Sequence, residues 1–270
     1  MQPPLITNAQ VIFQQDLYVI VPAAGLGTRM GISESKQFLK IAGIPVLART
    51  LQAFSEFGKS TGKAVHVVVV TNEDALDRVA ALTREYDLDI VEKIVIGGAT
   101  RQDSVACGIR AIETLSRVPG PLDIVFIHDG ARCLLDQDTI KKCFAGGAAH
   151  QVCVTATPCK NTIKSVVPQD TAEAKSAEAP AGVASGDLLV EKTLDRSLLY
   201  EVQTPQVFKY CILKEVSEKA QAQGIQATDD TALAEALGYP VHLIAGSYRN
   251  IKITTPEDAV IAEYFLSEKL

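Results

Sequence analysis

The sequence predicts an α/β fold: one doubly wound, mostly parallel sheet with helices on both faces. Two observations predict it. Short apolar, β-branched runs alternate along the chain with longer amphipathic stretches. Most of these runs are continuously apolar, which is typical of strands covered on both faces. A length of 270 residues with 47% hydrophobic and 21% charged positions suits a single globular domain, 1–270, and excludes a disordered chain.

The elements follow in order along the chain. We predict strands at 17–22, 64–71, 91–96, 122–128, 152–156 and 241–245. Between them, helical periodicity covers 46–57, 73–86, 103–115 and 136–144, with Asn72 and Asp136 as N-caps. Further helices are expected at 210–223, at 229–237 and from Pro256 onwards, where proline suits a first helical turn.

The pattern changes after Pro158. Two strands are expected at 161–167 and 188–193, joined by a stretch rich in Ala, Ser, Pro, Gly and acidic residues. This predicts a β-arm at about 158–195. Such an arm has poorly covered edges that a symmetric partner could cover, so we expect a homodimer through the arm. The alternative is a surface hairpin without a partner.

Charge and cysteine usage exclude several classes of function. The 26 Lys and Arg against 32 Asp and Glu leave a net charge of −6, which gives no basic surface for nucleic acid or an anionic membrane. No apolar run approaches the roughly 18 residues of a membrane span, and the N-terminus does not resemble a signal peptide. The six cysteines lack CxxC spacing and favour buried thiols over zinc ligands. A cytoplasmic location is expected.

The strongest chemical signal is a strand that runs into a glycine loop, VIVPAAGLGTRMG at 19–31. Gly25 and Gly27 allow close approach of backbone amides to a phosphate chain, and Arg29 and Lys36 can reach it. The dinucleotide fingerprint fails because its third glycine comes one position late, and the Walker pattern fails because no GK[ST] follows. A polyphosphate site of another kind is therefore predicted, with a plain tight turn as the alternative.

Asp129 is the second candidate. It directly follows the strand predicted at 122–128, so its carboxylate should face the same sheet edge as the glycine loop. A carboxylate oxygen is a ligand that Mg²⁺ prefers when it is bound to a triphosphate. We assign Asp129 to the ribose and metal region, the alternative being a helix cap.

The glycine loop resembles the signature of the sugar-phosphate nucleotidyltransferase superfamily. From about Leu17 to the C-terminus, the chain resembles the 2-C-methyl-D-erythritol 4-phosphate cytidylyltransferase family. Seven further motifs carry the resemblance in the family's order: GGATRQDSV at 97–105, HDGAR at 128–132, NTIK at 161–164, LDRS at 194–197, QTPQ at 203–206, TDD at 228–230 and NIKIT at 250–254. It implies a Rossmann-like nucleotidyltransferase fold.

The resemblance also implies an activity: a transferase that joins CTP and 2-C-methyl-D-erythritol 4-phosphate into 4-diphosphocytidyl-2-C-methyl-D-erythritol and pyrophosphate, in non-mevalonate isoprenoid biosynthesis. Mg²⁺ would accompany the CTP. Two alternatives stay open, ribitol 5-phosphate cytidylyltransferase and a catalytically silent nucleotide-binding relative. Pyrophosphate release with either polyol phosphate distinguishes them.

Residue roles follow from the resemblance. Arg29 and Lys36 would stabilise the transition state, and the acceptor phosphate would be held by Lys252 and by Arg196, the latter from the partner's arm. Thr204 and Thr228 would also bind the acceptor phosphate. The CTP site would be lined by Ala23, Ala24, Gly25, Gly27, Gly98, Ser104, Asp129 and Gly130, with Gly98 and Ser104 reading the cytosine ring.

Overall fold

The computed structural model describes residues 15–25, 35–168 and 188–268. The chain divides into two compact units. The first comprises Met1–Ala156 and Val202–Leu270, and the second is Thr157–Glu201. Among the described residues, no helix is both long and apolar enough to cross a bilayer.

The main sheet contains seven strands in the described part of the chain. They are β1 (Leu17–Pro22), β4 (Val65–Thr71), β5 (Val91–Ile96), β6 (Ile124–Ile127), β7 (Val152–Pro158), β10 (Tyr200–Lys209) and β11 (His242–Ala245). Their spatial order is β11-β7-β10-β6-β1-β4-β5. Parallel pairing joins β1 to β4 and β6, β4 to β5, and β7 to β11, whereas β10 runs antiparallel to β6. The predicted α/β fold with a mostly parallel sheet is confirmed.

β10 is the strand that the sequence analysis missed. Pro205 interrupts it, and a proline inside a run argues against a central strand because it cannot donate a ladder hydrogen bond. The Thr204–Pro205 peptide is cis. Pairing with β6 covers the residues after Pro205, from Gln206 opposite Ile127 to Lys209 opposite Ile124. A short hairpin of β2 (Lys40–Ile41) and β3 (Ile44–Pro45) was also not predicted.

Seven α-helices lie in the described residues: α1 (Val46–Thr61), α2 (Leu76–Glu85), α3 (Arg101–Ile112), α4 (Gln137–Ala149), α5 (Tyr210–Gln223), α6 (Asp230–Ala236) and α7 (Pro256–Ser267). Asp136 caps α4 as predicted, accepting a hydrogen bond from Thr139 N. Asn72 precedes a 3₁₀ turn without a capping bond from its side chain. α3 begins two residues earlier than predicted, because Thr100 and Asp103 form a capping box there.

Apolar side chains cover both faces of the sheet. Alternate residues of β1 enter opposite cores: Val19 packs in the cluster of Phe54 and Phe57, and Ile20 in the cluster of Ile112. All these side chains are almost fully buried. Burial on both faces explains why the β1 sequence is continuously apolar.

The second unit contains an antiparallel hairpin of β8 (Lys164–Pro168) and β9 (Leu188–Thr193) within the predicted arm. Val166 pairs with Val190, and Val167 pairs with Leu189. Directly opposed residues point to the same face, and consecutive residues point to opposite faces. Both faces of the hairpin therefore carry exposed apolar side chains.

Candidate active site

A cavity of about 440 Å³ opens where β1, β5 and β6 end. Carboxyl ends of neighbouring parallel strands meet at one edge, which is where open α/β sheets bind ligands. The lining residues come from the segments that follow these strands, from the 3₁₀ turn Lys36–Phe38 and from the start of α3, together with Lys252. All of these segments belong to the first unit.

The first wall of the cavity is the segment after β1. Ala23, Ala24 and Gly25 line it, and Ala23 N continues the β1–β4 hydrogen bonding to Val70 O at 2.7 Å. A β-carbon at Gly25 would lie 3.6 Å from Lys36 Cε and 3.8 Å from Lys36 Nζ. The Lys36 ammonium group thus lies against the glycine backbone. The other two loop candidates, Gly27 and Arg29, fall outside the described residues.

The second wall contains Gly98 and Ser104. Gly98 N donates a hydrogen bond to Ser104 Oγ at 3.2 Å, and that hydroxyl donates to Thr100 O at 2.9 Å. Ser104 is buried within the first turns of α3. A β-carbon at Gly98 would collide with Asp103, so the close approach of loop and helix requires glycine there.

Asp129 occupies the base of the cavity and is held by two cations. Arg101 Nε lies 3.3 Å from its Oδ1, and Lys252 Nζ lies 2.7 Å from its Oδ2. Burial would raise the pKa of the Asp129 carboxyl, but Arg101, Lys252 and Arg132 outweigh it and hold the pKa well below the usual range. Asp129 is therefore ionised at every pH at which the protein would work.

Arg101 is a site residue that lies within the GGATRQDSV motif and had no predicted role. It lines the cavity, and its guanidinium also donates to Asp230 Oδ2 at 2.6 Å. Asp230 is buried at the start of α6, so Arg101 joins the cavity to that helix. The available signal was its position directly after the GGAT turn, at the first turn of a helix on the ligand-binding edge.

Electrostatically, the cavity suits a polyanion. Its described charged lining residues are the cations Lys36, Arg101 and Lys252 and the single carboxylate Asp129. No cluster of three or more metal-ligating side chains exists among the described residues. A single carboxylate such as that of Asp129 is sufficient for Mg²⁺. This hard cation binds one or two carboxylates and takes water and phosphate oxygens as its remaining ligands.

The remaining predicted site residues lie in different surroundings. Gly130 lines the cavity, where its N–H donates to Pro22 O and its carbonyl accepts from Thr50 Oγ1. Thr228 is exposed on the loop before α6 and is outside the cavity lining. Arg196 belongs to the second unit, where it donates to Lys160 O at 2.7 Å.

Thr204 lies behind Asp129 and is 4% exposed. Its hydroxyl accepts a hydrogen bond from Asp129 N and contacts the ring of His128. Burial lowers the pKa of His128 to about 4. The structure therefore surrounds the Thr204 hydroxyl with protein groups.

Comparison with known proteins identifies the family. The family model described as IspD, 2-C-methyl-D-erythritol 4-phosphate cytidylyltransferase, matches residues 17–268. The 2-C-methyl-D-erythritol 4-phosphate cytidylyltransferase of Geobacter metallireducens is 37% identical over 94% of this chain and 99% of its own. That of Halalkalibacterium halodurans is 37% identical over 93% and 97%.

Solved structures agree with the sequence comparisons. The crystal structure of 4-diphosphocytidyl-2C-methyl-D-erythritol synthase from Anaerococcus prevotii superposes with a TM-score of 0.72 at 26% identity, over 94% of this chain and 99% of that one. The 2-C-methyl-D-erythritol 4-phosphate cytidylyltransferase from Thermus thermophilus gives 0.67 at 29% identity, over 94% and 100%. The chain belongs to the 2-C-methyl-D-erythritol 4-phosphate cytidylyltransferase family of nucleotidyltransferases.

Proposed function

We propose that this protein transfers the cytidylyl group of CTP to 2-C-methyl-D-erythritol 4-phosphate, releasing pyrophosphate, as a step of isoprenoid biosynthesis. Family membership supports the reaction class. The observation that carries the proposal is the position of Lys36, whose ammonium lies against the Gly25 backbone in a cavity with an excess of cations. The negative charge of a triphosphate is stabilised by such cations and by nearby backbone N–H groups.

The reaction needs positioning and charge neutralisation more than proton transfer. The acceptor is a phosphate monoester, which is largely ionised at neutral pH because its second pKa is about 6. One of its oxygens forms a bond to the α-phosphorus of CTP as the bond from that phosphorus to pyrophosphate breaks. Because the nucleophile already carries the charge, a general base is not required. This agrees with a cavity lining that includes no histidine among its described residues.

Lys36 has the role of stabilising charge on the phosphoryl oxygens and the departing pyrophosphate, together with Arg29. Lys252 and Thr228 hold the acceptor phosphate together with Arg196 of the partner subunit. Thr204 is left out of this set, because its hydroxyl is already engaged with Asp129 and His128.

The nucleotide occupies the walls of the cavity. Gly98 and Ser104 contact the cytosine ring, and Asp129 with Gly130 forms the ribose end. The triphosphate follows the backbone at Ala23, Ala24, Gly25 and Gly27. Mg²⁺, held by Asp129 and phosphate oxygens, would supply additional positive charge to the triphosphate.

The protein is proposed to form a homodimer through the β8–β9 hairpin. Val166 and Val190 are exposed on one face of the hairpin and Val167 and Leu189 on the other. An apolar hairpin with both faces exposed favours a covering partner. A second copy of the chain provides one.

A cytoplasmic location is also proposed. All six cysteines are free, and three of them are buried in the cores. Free thiols persist in a reducing compartment.

The test of the activity is a coupled pyrophosphate assay with Mg²⁺, CTP and either 2-C-methyl-D-erythritol 4-phosphate or ribitol 5-phosphate. Release with the first acceptor alone is expected. Release with ribitol 5-phosphate alone would move the protein to that neighbouring activity, and no release with either would contradict the proposed transferase. A CTP-binding measurement by calorimetry then distinguishes a silent nucleotide binder from a protein that does not bind CTP.

A further inference from the structure

Four residues at and behind the cavity form a continuous hydrogen-bonded chain. His128 Nε2 lies 3.1 Å from Arg132 O, and His128 Nδ1 lies 3.0 Å from Thr204 Oγ1. Thr204 Oγ1 lies 3.1 Å from Asp129 N. His128 is fully buried, and the ring of Phe54 packs edge-on against it with 5.4 Å between centroids.

The direction of every hydrogen bond in this chain follows from its two ends. Arg132 O can only accept, so His128 Nε2 carries a proton. Asp129 N can only donate, so Thr204 Oγ1 accepts from it. In a neutral imidazole Nδ1 is then the acceptor, and the Thr204 hydroxyl proton points at it. Donor and acceptor roles of the Thr204 hydroxyl are both used within the protein.

Thr204 also contacts the segment that carries Lys252. Its carbonyl accepts a hydrogen bond from Asn250 Nδ2 at 2.8 Å, and Asn250 is two residues before Lys252. Asn250 is fully buried, and its own carbonyl accepts from Arg132 Nη1. Thr204 therefore lies between the two segments that supply the Asp129–Lys252 ion pair.

We propose that His128 and Thr204 are positioning residues: the His128 ring orients the Thr204 hydroxyl, which fixes the Asp129 backbone and thereby the Asp129–Lys252 pair in the cavity. The inference deepens the proposed function, since it assumes that this pair serves the transfer reaction. It assigns Thr204 a role through protein groups and not a direct contact with the acceptor phosphate.

The first experiment concerns the resting protein and needs no activity. In ¹⁵N NMR at neutral pH, the long-range histidine spectrum is expected to show His128 protonated at Nε2 alone. In Thr204→Val the Nδ1 resonance is expected to move, since it loses its hydrogen-bond donor. A wild-type His128 protonated at Nδ1, or an Nδ1 resonance unmoved by Thr204→Val, would overturn the chain of hydrogen bonds.

The second experiment is a double-mutant cycle on turnover. His128→Gln keeps a donor towards Arg132 O but has no acceptor at the position of Nδ1, and Thr204→Val removes the hydroxyl with little change of volume. Each single variant is expected to lower kcat/KM about tenfold. The double variant is expected to lose no more kcat/KM than the single variant with the larger loss. Losses that multiply to about a hundredfold would show that the two residues act independently.

Conservative variants separate positioning from packing. Thr204→Ser restores the hydroxyl and His128→Asn keeps an acceptor near the Nδ1 position, so both are expected to retain more activity than Thr204→Val and His128→Gln. Phe54→Leu disturbs the ring packing alone and is expected to leave kcat/KM within about twofold. An equal loss of kcat/KM in Phe54→Leu and His128→Gln, or a rise of the acceptor KM alone in Thr204→Val, would contradict the proposal.

If the wild type releases no pyrophosphate, the proposed function fails while the NMR result still decides the hydrogen bonds.

Discussion

Lys252 Nζ lies 2.7 Å from Asp129 Oδ2, although the two residues are far apart in the sequence. Asp129 follows the central strand β6, and Lys252 precedes the last helix. Ile253 N donates to Ala131 O, so backbone pairing holds the two segments together. Asp129 also pairs with Arg101, so this single carboxylate lies among the three lining cations Lys36, Arg101 and Lys252, and the cavity keeps an excess of positive charge for phosphate groups.

We expect Asp129→Asn to cost both stability and activity. The substitution leaves Arg101 and Lys252 facing a neutral amide. Because both cationic side chains are partly exposed, the free energy of unfolding should fall by less than the about 3–5 kcal/mol that breaking a fully buried pair costs. Turnover should fall by about a hundredfold, as for other lost electrostatic contacts in active sites. Urea unfolding and the pyrophosphate assay measure the two effects.

Asp138→Asn is the matched control for this prediction. Asp138 also pairs with a lysine, Lys142, but on the exposed surface of α4. Exposed pairs contribute about 0–1 kcal/mol, so this variant should resemble the wild type. Similar losses of stability and turnover in both variants would mean that the Asp129 ion pairs contribute no more than an exposed surface pair.

Lys36→Ala is expected to lower turnover far more than CTP affinity. The Lys36 ammonium would act on charge that develops during transfer, and losing one such group costs about a hundredfold in kcat, or about 3 kcal/mol. Single-turnover rates and calorimetric CTP titration separate the two quantities. Lys40→Ala, an exposed lysine on β2 nearby, is the control and should change neither. Equal losses of kcat and CTP affinity in Lys36→Ala would contradict a transition-state role.

The parts of the fold that could be predicted are those whose local pattern agrees with their final environment. β1 and α5 begin and end where the periodicity placed them, because continuous apolar runs and helical stripes reflect burial directly. The bounds of β5 and β9 also agree with the prediction, although β9 is largely exposed. β10 was missed for the opposite reason. Its proline argues locally against a strand, and only pairing with β6 makes the segment extended.

Nine of the site residues predicted from the sequence lie around one cavity. Ala23, Ala24, Gly25, Lys36, Gly98, Ser104, Asp129, Gly130 and Lys252 were chosen from the sequence and all line one cavity. What sequence could not provide was the partner of each group. The Lys252–Asp129 ion pair and the hydrogen bond from Asp129 N to Thr204 Oγ1 each join segments more than 70 residues apart, and local pattern carries no information about such contacts.

Thiol labelling should divide the cysteines into two classes. Burial raises the pKa of Cys133 and of Cys153 to about 11 and that of Cys143 to about 12. Only a thiolate reacts with iodoacetamide, so these three should stay unmodified in the folded protein at pH 7.5 and react after denaturation. Cys107, Cys159 and Cys211 are partly exposed and should react first. Mass spectrometry of tryptic peptides identifies the sites, and rapid modification of folded Cys133 would contradict its burial.

The hairpin provides the prediction about assembly. Val190 is 60% exposed at the centre of β9, and in a dimer formed through the hairpin it would be buried against the second copy. Burying an unpaired carboxylate is strongly unfavourable, so Val190→Glu should weaken the dimer at least about tenfold in Kd. Light scattering over a concentration series measures the mass.

Val118→Glu is the control for the same measurement. Val118 is 54% exposed but belongs to the first unit, in the loop before β6, so the same new charge there should leave the dimer intact. The pair of variants has matched chemistry and matched exposure, and it differs in position alone. A wild type that is monomeric at micromolar concentration would refute the dimer. A Val190→Glu protein that dimerises as tightly as Val118→Glu would place the interface on a surface other than the hairpin.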